Sequence, residues 1–135
     1  MVEMTFLYSG GLHTQATHGP SGSVVETDAP VDNRGKGEAF SPTDLLSASL
    51  ASCMLTTMAI RGESDAWVID GATARIEKHM ALEPRRRVGR IVVELDMPAG
   101  LPDAARTPLE QAARGCPVAS SLADSVEVDL RVRWR

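Results

Sequence analysis

The sequence predicts an α+β fold with a mostly antiparallel sheet and a long central helix that carries a cysteine. Three short strand patterns come first, and a long helix, two strands, a broken helix and a last strand follow. Strands and helices that do not alternate regularly are typical of α+β folds rather than of parallel α/β sheets. No linker composition interrupts the chain, so we expect a single domain over residues 1–135.

The N-terminal part of the chain predicts three short strands and a long loop. Strand-forming residues at 5–8 and 12–17 flank a Ser-Gly-Gly turn, and a third strand pattern occupies 23–26. Residues 28–40 are rich in Gly, Pro, Asp and Asn, which predicts a loop. A loop of this length in a compact domain is often functional or flexible.

A strong start signal for a long helix follows this loop. Ser41 is a suitable N-cap, Pro42 fits the first helical position, and Asp44 can bond back to the cap. The pattern that follows is apolar or small on nearly every face, and Gly62 is the expected residue after its end. Because a small monomer cannot easily cover such a helix, we expect a homodimer that buries it between subunits.

The second half of the chain predicts three strands and a broken helix. Alternating patterns indicate strands at 72–82 and 90–97. Thr107 begins a capping box with proline at the first helical position, and this helix should stop at Gly115. Cys116 is then the expected N-cap of a further helical segment. The clearest two-residue period belongs to the last strand, whose inward residues are Val126, Val128, Leu130, Val132 and Trp134.

Composition limits the classes of protein to which the chain can belong. The hydrophobic fraction of 43% argues against disorder, and the net charge of −4 gives no reason to expect nucleic acid or anionic lipid as a partner. The one basic run, residues 85–87, is most simply a solvated hairpin tip. No uninterrupted apolar run is long enough for a bilayer, and the N-terminus shows no signal-peptide pattern. We therefore expect a cytoplasmic protein that does not enter a membrane.

The two cysteines, Cys53 and Cys116, are the strongest candidates for chemistry. Stable disulfides are rare in the cytosol, so such a pair is either redox-active or a pair of inert buried thiols. A metal site would need closely spaced cysteines or histidines, and His13, His18 and His79 form no such motif. The sequence predicts neither a metal nor an organic cofactor.

Local position predicts different acidities for the two thiols. At a helix N-cap, Cys116 would receive backbone N–H groups and the positive end of the helix dipole, which lowers a thiol pKa. In mid-helix among apolar residues, Cys53 would be desolvated, which raises its pKa. Cys53 therefore needs a nearby cation or hydrogen-bond donor if it is to react.

Two motifs resemble those of the OsmC/Ohr superfamily, the osmotically inducible and organic hydroperoxide resistance proteins. Residues 41–53 are similar to the family's cysteine-bearing helix, with Ser-Pro and Leu-Leu ahead of Cys53. The segment 115–118, Gly-Cys-Pro-Val, is similar to its second cysteine motif. Residues 8–11 and 28–30 also resemble the family's first sheet and loop, so the resemblance spans nearly the whole chain in order.

The resemblance implies an intertwined homodimer with active sites at the subunit interface. It implies that Cys53 attacks the distal oxygen of an organic hydroperoxide, and that Cys116 resolves the sulfenic acid as an intramolecular disulfide. An external dithiol reductant would then restore both thiols. The resemblance thus indicates a thiol-dependent peroxidase of oxidative-stress defence.

The sequence departs from the hydroperoxide-resistance branch at the residues that activate its reactive cysteine. That branch uses an Arg–Glu pair, but Thr43 occupies the glutamate position, and Leu12 follows the Gly-Gly turn where the arginine is expected. Four residues are candidates for a supporting role: Asp44, Arg34, His13 and Glu38. Each also has a simpler explanation, because Asp44 can serve as a helix cap and the other three are typical solvated groups.

Two other functions are compatible with these residues. A non-catalytic member of the same fold would bind a small apolar ligand, and the missing Arg–Glu pair favours this alternative. A purely structural domain would keep both cysteines buried and inert.

Overall fold

The computed structural model describes every residue from 1 to 135. The chain forms two compact units, residues 1–46 and 47–135, and each unit holds one three-stranded sheet. Helices follow each group of strands without regular alternation, so the predicted α+β class is confirmed. The expectation of a single domain over the whole chain stays a prediction.

The first unit contains an antiparallel meander. β1 (Met4–Gly10), β2 (His13–His18) and β3 (Val24–Asp28) pair in sequence order. Gly10 at the end of β1 and Gly11 in the turn that follows have φ angles of +87° and +62°, which residues with a Cβ rarely adopt. All three strands were predicted, and their ends differ from the predicted ends by one or two residues.

The loop after β3 folds back on its own first residues. It contains a 3-10 helical turn, Val31–Asn33, followed by Arg34 with a left-handed φ of +65°. The Gly37 N–H donates to the carbonyl of Ala29 (3.3 Å), and a Cβ at Gly35 would lie 1.6 Å from the same oxygen. Glycine is therefore required at position 35 for the loop to close.

The helix α1 (Pro42–Glu63) begins with the predicted capping box. The Ser41 N–H donates to the Asp44 carboxylate (2.9 Å), and the Asp44 N–H donates to the Ser41 hydroxyl (3.0 Å). α1 ends at Glu63, close to the predicted end, but Gly62 lies inside the helix and is buried instead of following it. A Cβ at this position would lie 2.3 Å from the carbonyl oxygen of Trp67. Gly62 thus allows close backbone packing instead of ending the helix.

The sheet of the second unit combines two pairing directions. β4 (Thr73–Ala81) and β5 (Arg87–Asp96) form an antiparallel hairpin, and β6 (Glu127–Arg133) lies parallel to β5. A parallel pairing requires a crossover, which α2 (Asp103–Arg114) and α3 (Pro117–Ser121) provide. The other pairings in both sheets are antiparallel, so the prediction of mostly antiparallel structure is confirmed.

The helix α2 starts about one turn before the predicted capping box. It begins at Asp103, so Pro108 lies inside the helix, where its missing N–H removes one backbone hydrogen bond. The inner face of α2, residues Ala105, Leu109 and Ala113, is completely buried. Tertiary burial of this face therefore outweighs the local start signal that the sequence offered.

One stripe of α1 lies at the centre of the second unit's core. Leu50, Met54 and Met58 recur every fourth residue, and none of them has exposed surface. They belong to one apolar cluster with Cys116 and the inner residues of β5. The exposed residues of the opposite stripe are Ser49, Ser52, Thr56 and Ile60. A single chain thus covers only one side of this largely apolar helix.

The length and composition of α1 also meet the criteria for a helix that could cross a membrane. The sequence has no uninterrupted apolar run of that length, because charged residues such as Asp44 and Arg61 lie in α1. The mean hydropathy of the helix is nevertheless high enough to meet the criteria. Core helices meet the same criteria, and the buried stripe of α1 is typical of a core helix.

Candidate dithiol site

Cys116 lies at the junction of α2 and α3. Gly115 ends α2, and Pro117 occupies the first position of α3. The Cys116 Sγ accepts a hydrogen bond from the N–H of Ala119 (3.4 Å), so the predicted N-cap position is confirmed. The residue has no exposed surface and belongs to the apolar core.

Cys53 lies in the middle of α1 and is partly buried against the same core. Its Sγ lies 4.0 Å from the hydroxyl oxygen of Thr57, one helical turn later. The backbone of Val118 and the side chain of Cys116 lie near enough to Cys53 to lower its pKa. Both cysteines are free thiols. The second unit therefore brings together the two sulfurs that the sequence singled out.

Hydrogen bonds give Cys53 the lower pKa of the two thiols. Burial raises the pKa of Cys53, but hydrogen bonds from the Val118 N–H, Cys116 and Thr57 outweigh burial and leave this pKa below its usual value. Burial raises the pKa of Cys116, and the Cys53 sulfur raises it further, against hydrogen bonds from the backbone of Ala119 and Val118. Cys53 is thus the thiol whose pKa is lowered, and Cys116 is the thiol whose pKa is raised.

This order corrects the expectation from local sequence, which gave Cys116 the lower pKa. The N-cap supplies the expected hydrogen bond, but α3 has only five residues and Cys116 is completely buried. Desolvation therefore outweighs the helix terminus. Cys53 was expected to need a cation or a hydrogen-bond donor, and the donors that the second unit supplies are neutral groups.

In the first unit, His13 and Glu38 meet at Asp28, a residue that was not among the predicted site residues. His13 Nδ1 lies 2.7 Å from one Asp28 carboxylate oxygen, and the Glu38 N–H donates to the other (3.0 Å). The hydrogen bond to Asp28 raises the pKa of His13, although desolvation opposes it. Arg34 lies in the loop at the left-handed position after the 3-10 turn. An action of these residues on Cys53 stays a prediction.

Sequence reasoning missed Thr57 and Val118 as partners of Cys53. Thr57 could have been found from its spacing, since residues four apart on a helix are neighbours. Val118 could not have been found from the sequence, because its N–H reaches Cys53 only through the packing of α3 beside α1. The remaining candidate, Asp44, forms the cap of α1.

Charged residues elsewhere on the second unit pair with one another. A surface cavity of about 450 Å³ lies over its sheet, and neither thiol lines it. In this cavity Arg75 and Arg131 contact Glu94, and Arg133 contacts Asp96. Exposed ion pairs of this kind contribute little to stability. No group of three or more His, Cys, Asp or Glu side chains is arranged to hold a metal ion.

Comparison with known proteins identifies relatives of this chain. Residues 35–131 match the family model of OsmC-like proteins. No curated protein sequence matches the chain. The crystal structure of a candidate osmotic stress induced and detoxification response protein from Psychrobacter arcticus is 41% identical in sequence, with a TM-score of 0.92. That alignment covers 98% of this chain and 96% of the other.

More distant solved structures share the fold. An OsmC-like protein from Mycoplasma pneumoniae has a TM-score of 0.82 at 13% identity, over 99% of this chain and 96% of the other. An organic hydroperoxide resistance protein from Legionella pneumophila has a TM-score of 0.75 at 17% identity, over 98% and 96%. At these identities the likeness shows the fold alone. The family match and the 41% identical structure show that this chain belongs to the OsmC-like protein family.

Proposed function

We propose that the chain is a thiol-dependent peroxidase that reduces organic hydroperoxides in the cytoplasm during oxidative stress. The observation that carries this proposal is that Cys53, whose pKa is lowered, and Cys116, whose pKa is raised, lie near enough to shift each other's pKa beside one apolar core. A dithiol peroxidase needs an ionised attacking sulfur and a second sulfur near enough to resolve it. Several solved structures with this fold are of organic hydroperoxide resistance proteins, which supports the choice of substrate.

The proposed reaction begins at Cys53. Its thiolate attacks the distal peroxide oxygen, the O–O bond breaks, and the alkoxide takes a proton and leaves as an alcohol, so that Cys53 becomes a sulfenic acid. The Cys116 sulfur then attacks the Cys53 sulfur, a disulfide forms and water leaves. An external dithiol reduces this disulfide by two electrons and becomes a disulfide itself, which restores both thiols.

Thiol counting tests this function. The reduced chain is mixed with one equivalent of cumene hydroperoxide, and free thiols are counted before and after. We expect both thiols of the chain to be lost, a disulfide to join the peptides that contain Cys53 and Cys116, and cumyl alcohol to be released. Unchanged thiols would reject the peroxidase and favour the non-catalytic alternative that binds a small apolar ligand.

A Cys116→Ser variant should let Cys53 oxidise beyond the sulfenic acid. No second sulfur would be present to form the disulfide, so excess hydroperoxide should convert the sulfenic acid to sulfinic and sulfonic acids. Intact mass spectrometry should show the added oxygen atoms, and peptide mapping should place them on Cys53. The same variant without hydroperoxide is the control. An unmodified mass after treatment would contradict the role of Cys53 as the attacking thiol.

We also propose that the chain acts as a homodimer. Side chains on both faces of β1 are exposed in the single chain, with 68% of Phe6, 61% of Leu7 and 62% of Tyr8 accessible. Ile60, on the outer stripe of α1, is 66% exposed. Exposed large apolar side chains of this kind, considered in each unit separately, are typical of association sites. Light scattering after size-exclusion chromatography should give twice the mass of one chain, and the mass of a single chain would contradict the proposal.

A further inference from the structure

Two consecutive threonines on α1, Thr56 and Thr57, make different contacts. The Thr56 hydroxyl donates to the carbonyl oxygens of Ser52 (3.0 Å) and Cys53 (3.1 Å), and this residue is exposed. The Thr57 hydroxyl contacts the Cys53 Sγ instead (4.0 Å), and this residue is partly buried. Of this pair, Thr57 presents its hydroxyl to the sulfur.

The local backbone explains why the Thr57 hydroxyl contacts the Cys53 sulfur. A threonine in a helix often bonds the carbonyl four residues earlier, which for Thr57 is the carbonyl of Cys53. That oxygen already accepts the Thr56 hydroxyl in addition to the helical N–H. A partly buried hydroxyl still needs a partner, and the Cys53 side chain lies on the same helix face, one turn before Thr57.

We propose that Thr57 is a further catalytic residue of the dithiol site, whose hydroxyl donates a hydrogen bond to the Cys53 sulfur when that sulfur is ionised. The inference rests on the proposed peroxidase function and adds a residue to its machinery. An anionic sulfur is a stronger acceptor than a thiol, so the contact strengthens as the proton leaves. Burial raises the pKa of Cys53, and Thr57 is one of the groups that lower it.

Two substitutions at Thr57 separate its hydroxyl from its shape. Thr57→Val keeps the branched shape and removes the hydroxyl, whereas Thr57→Ser keeps the hydroxyl. Iodoacetamide alkylation of Cys53 is followed by quantifying the tryptic peptide 37–61. The measurement runs from about pH 5 to about pH 10, which covers the range over which thiols ionise. We expect Thr57→Val to slow alkylation near pH 7 by about threefold to tenfold, as loss of a hydrogen bond of ordinary net strength implies. The rates should converge at high pH, and Thr57→Ser should restore the wild-type profile.

Thr56→Val is the matched control, because it removes the neighbouring hydroxyl that bonds only backbone carbonyls. Its alkylation profile should follow the wild-type profile. A Thr57→Val profile identical to wild type would overturn the inference, and so would slowing by one factor at every pH, which indicates altered access to the sulfur. Alkylation needs no hydroperoxide, so this test is independent of the peroxidase function. If the Thr57→Val profile shifts but the wild-type chain consumes no hydroperoxide, the hydrogen bond from Thr57 to Cys53 is supported and the peroxidase function is rejected.

Discussion

A Cys53→Ser variant should lose all consumption of organic hydroperoxide. Serine has nearly the shape of cysteine, but its hydroxyl does not ionise near neutral pH and cannot attack the peroxide bond. Cys116 should not replace it, because Cys116 has no exposed surface and its pKa is raised. Cumene hydroperoxide should therefore disappear at the uncatalysed rate, and the remaining thiol should stay reduced.

A neighbouring substitution shows whether this loss is specific. Ser52 is exposed on α1 beside Cys53, and Ser52→Ala should keep the wild-type rate of hydroperoxide consumption. Thermal unfolding of both variants should match the wild type, since neither change opens a cavity in the core. Hydroperoxide consumption that survives in Cys53→Ser would assign the attack to Cys116 and refute the proposed order of the two thiols.

A Gly62→Ala variant should lower the free energy of unfolding by about 1–3 kcal/mol, the usual cost of overpacking, although alanine is the better helix former. The added Cβ would lie 2.3 Å from the Trp67 carbonyl oxygen and 3.4 Å from the Trp67 Cβ. The segment cannot easily withdraw, because the N–H groups of Asp65 and Trp67 both donate to the Gly62 carbonyl (3.1 and 2.9 Å). Urea unfolding should show a lower midpoint at an unchanged slope.

Gly115→Ala is the matched control for this measurement. Gly115 has a φ of −95°, and a Cβ there would meet only the Gln111 carbonyl oxygen at 3.4 Å. Its unfolding midpoint should stay close to that of the wild type. A Gly62→Ala variant that is as stable as the wild type would show that α1 can end in another way. The close approach of Trp67 would then contribute little to the free energy of unfolding.

Local sequence signals predicted the ends of helices where residues close in sequence form the cap. The start of α1 was predicted because Ser41 and Asp44 satisfy each other's backbone groups. The role of Gly62 at the end of α1 and the start of α2 were predicted wrongly, since the packing of Trp67 and the buried face around Leu109 decide them. The period of the last strand predicted β6, but its parallel partner could not be derived from the strand itself.

At the dithiol site, too, local sequence predicted the residues involved, whereas tertiary packing decides how they interact. Sequence motifs pointed to Cys53 and Cys116, and the structure brings these two sulfurs together. Their order of acidity was predicted wrongly, because it depends on burial of Cys116 and on the Val118 N–H, which only the packing of α3 supplies. Asp28 was missed for a similar reason, since it reaches His13 across two paired strands.

The parallel pairing of β5 with β6 also affects how the protein is made. The first unit joins strands that are adjacent along the chain, so a growing polypeptide can close that sheet early during translation. The second sheet pairs Arg90 with Glu127 across two intervening helices, and it must wait until the ribosome has released residues 127–133. The core beside which both cysteines lie includes Leu130 of β6, so this core stays incomplete until the last strand has been synthesised.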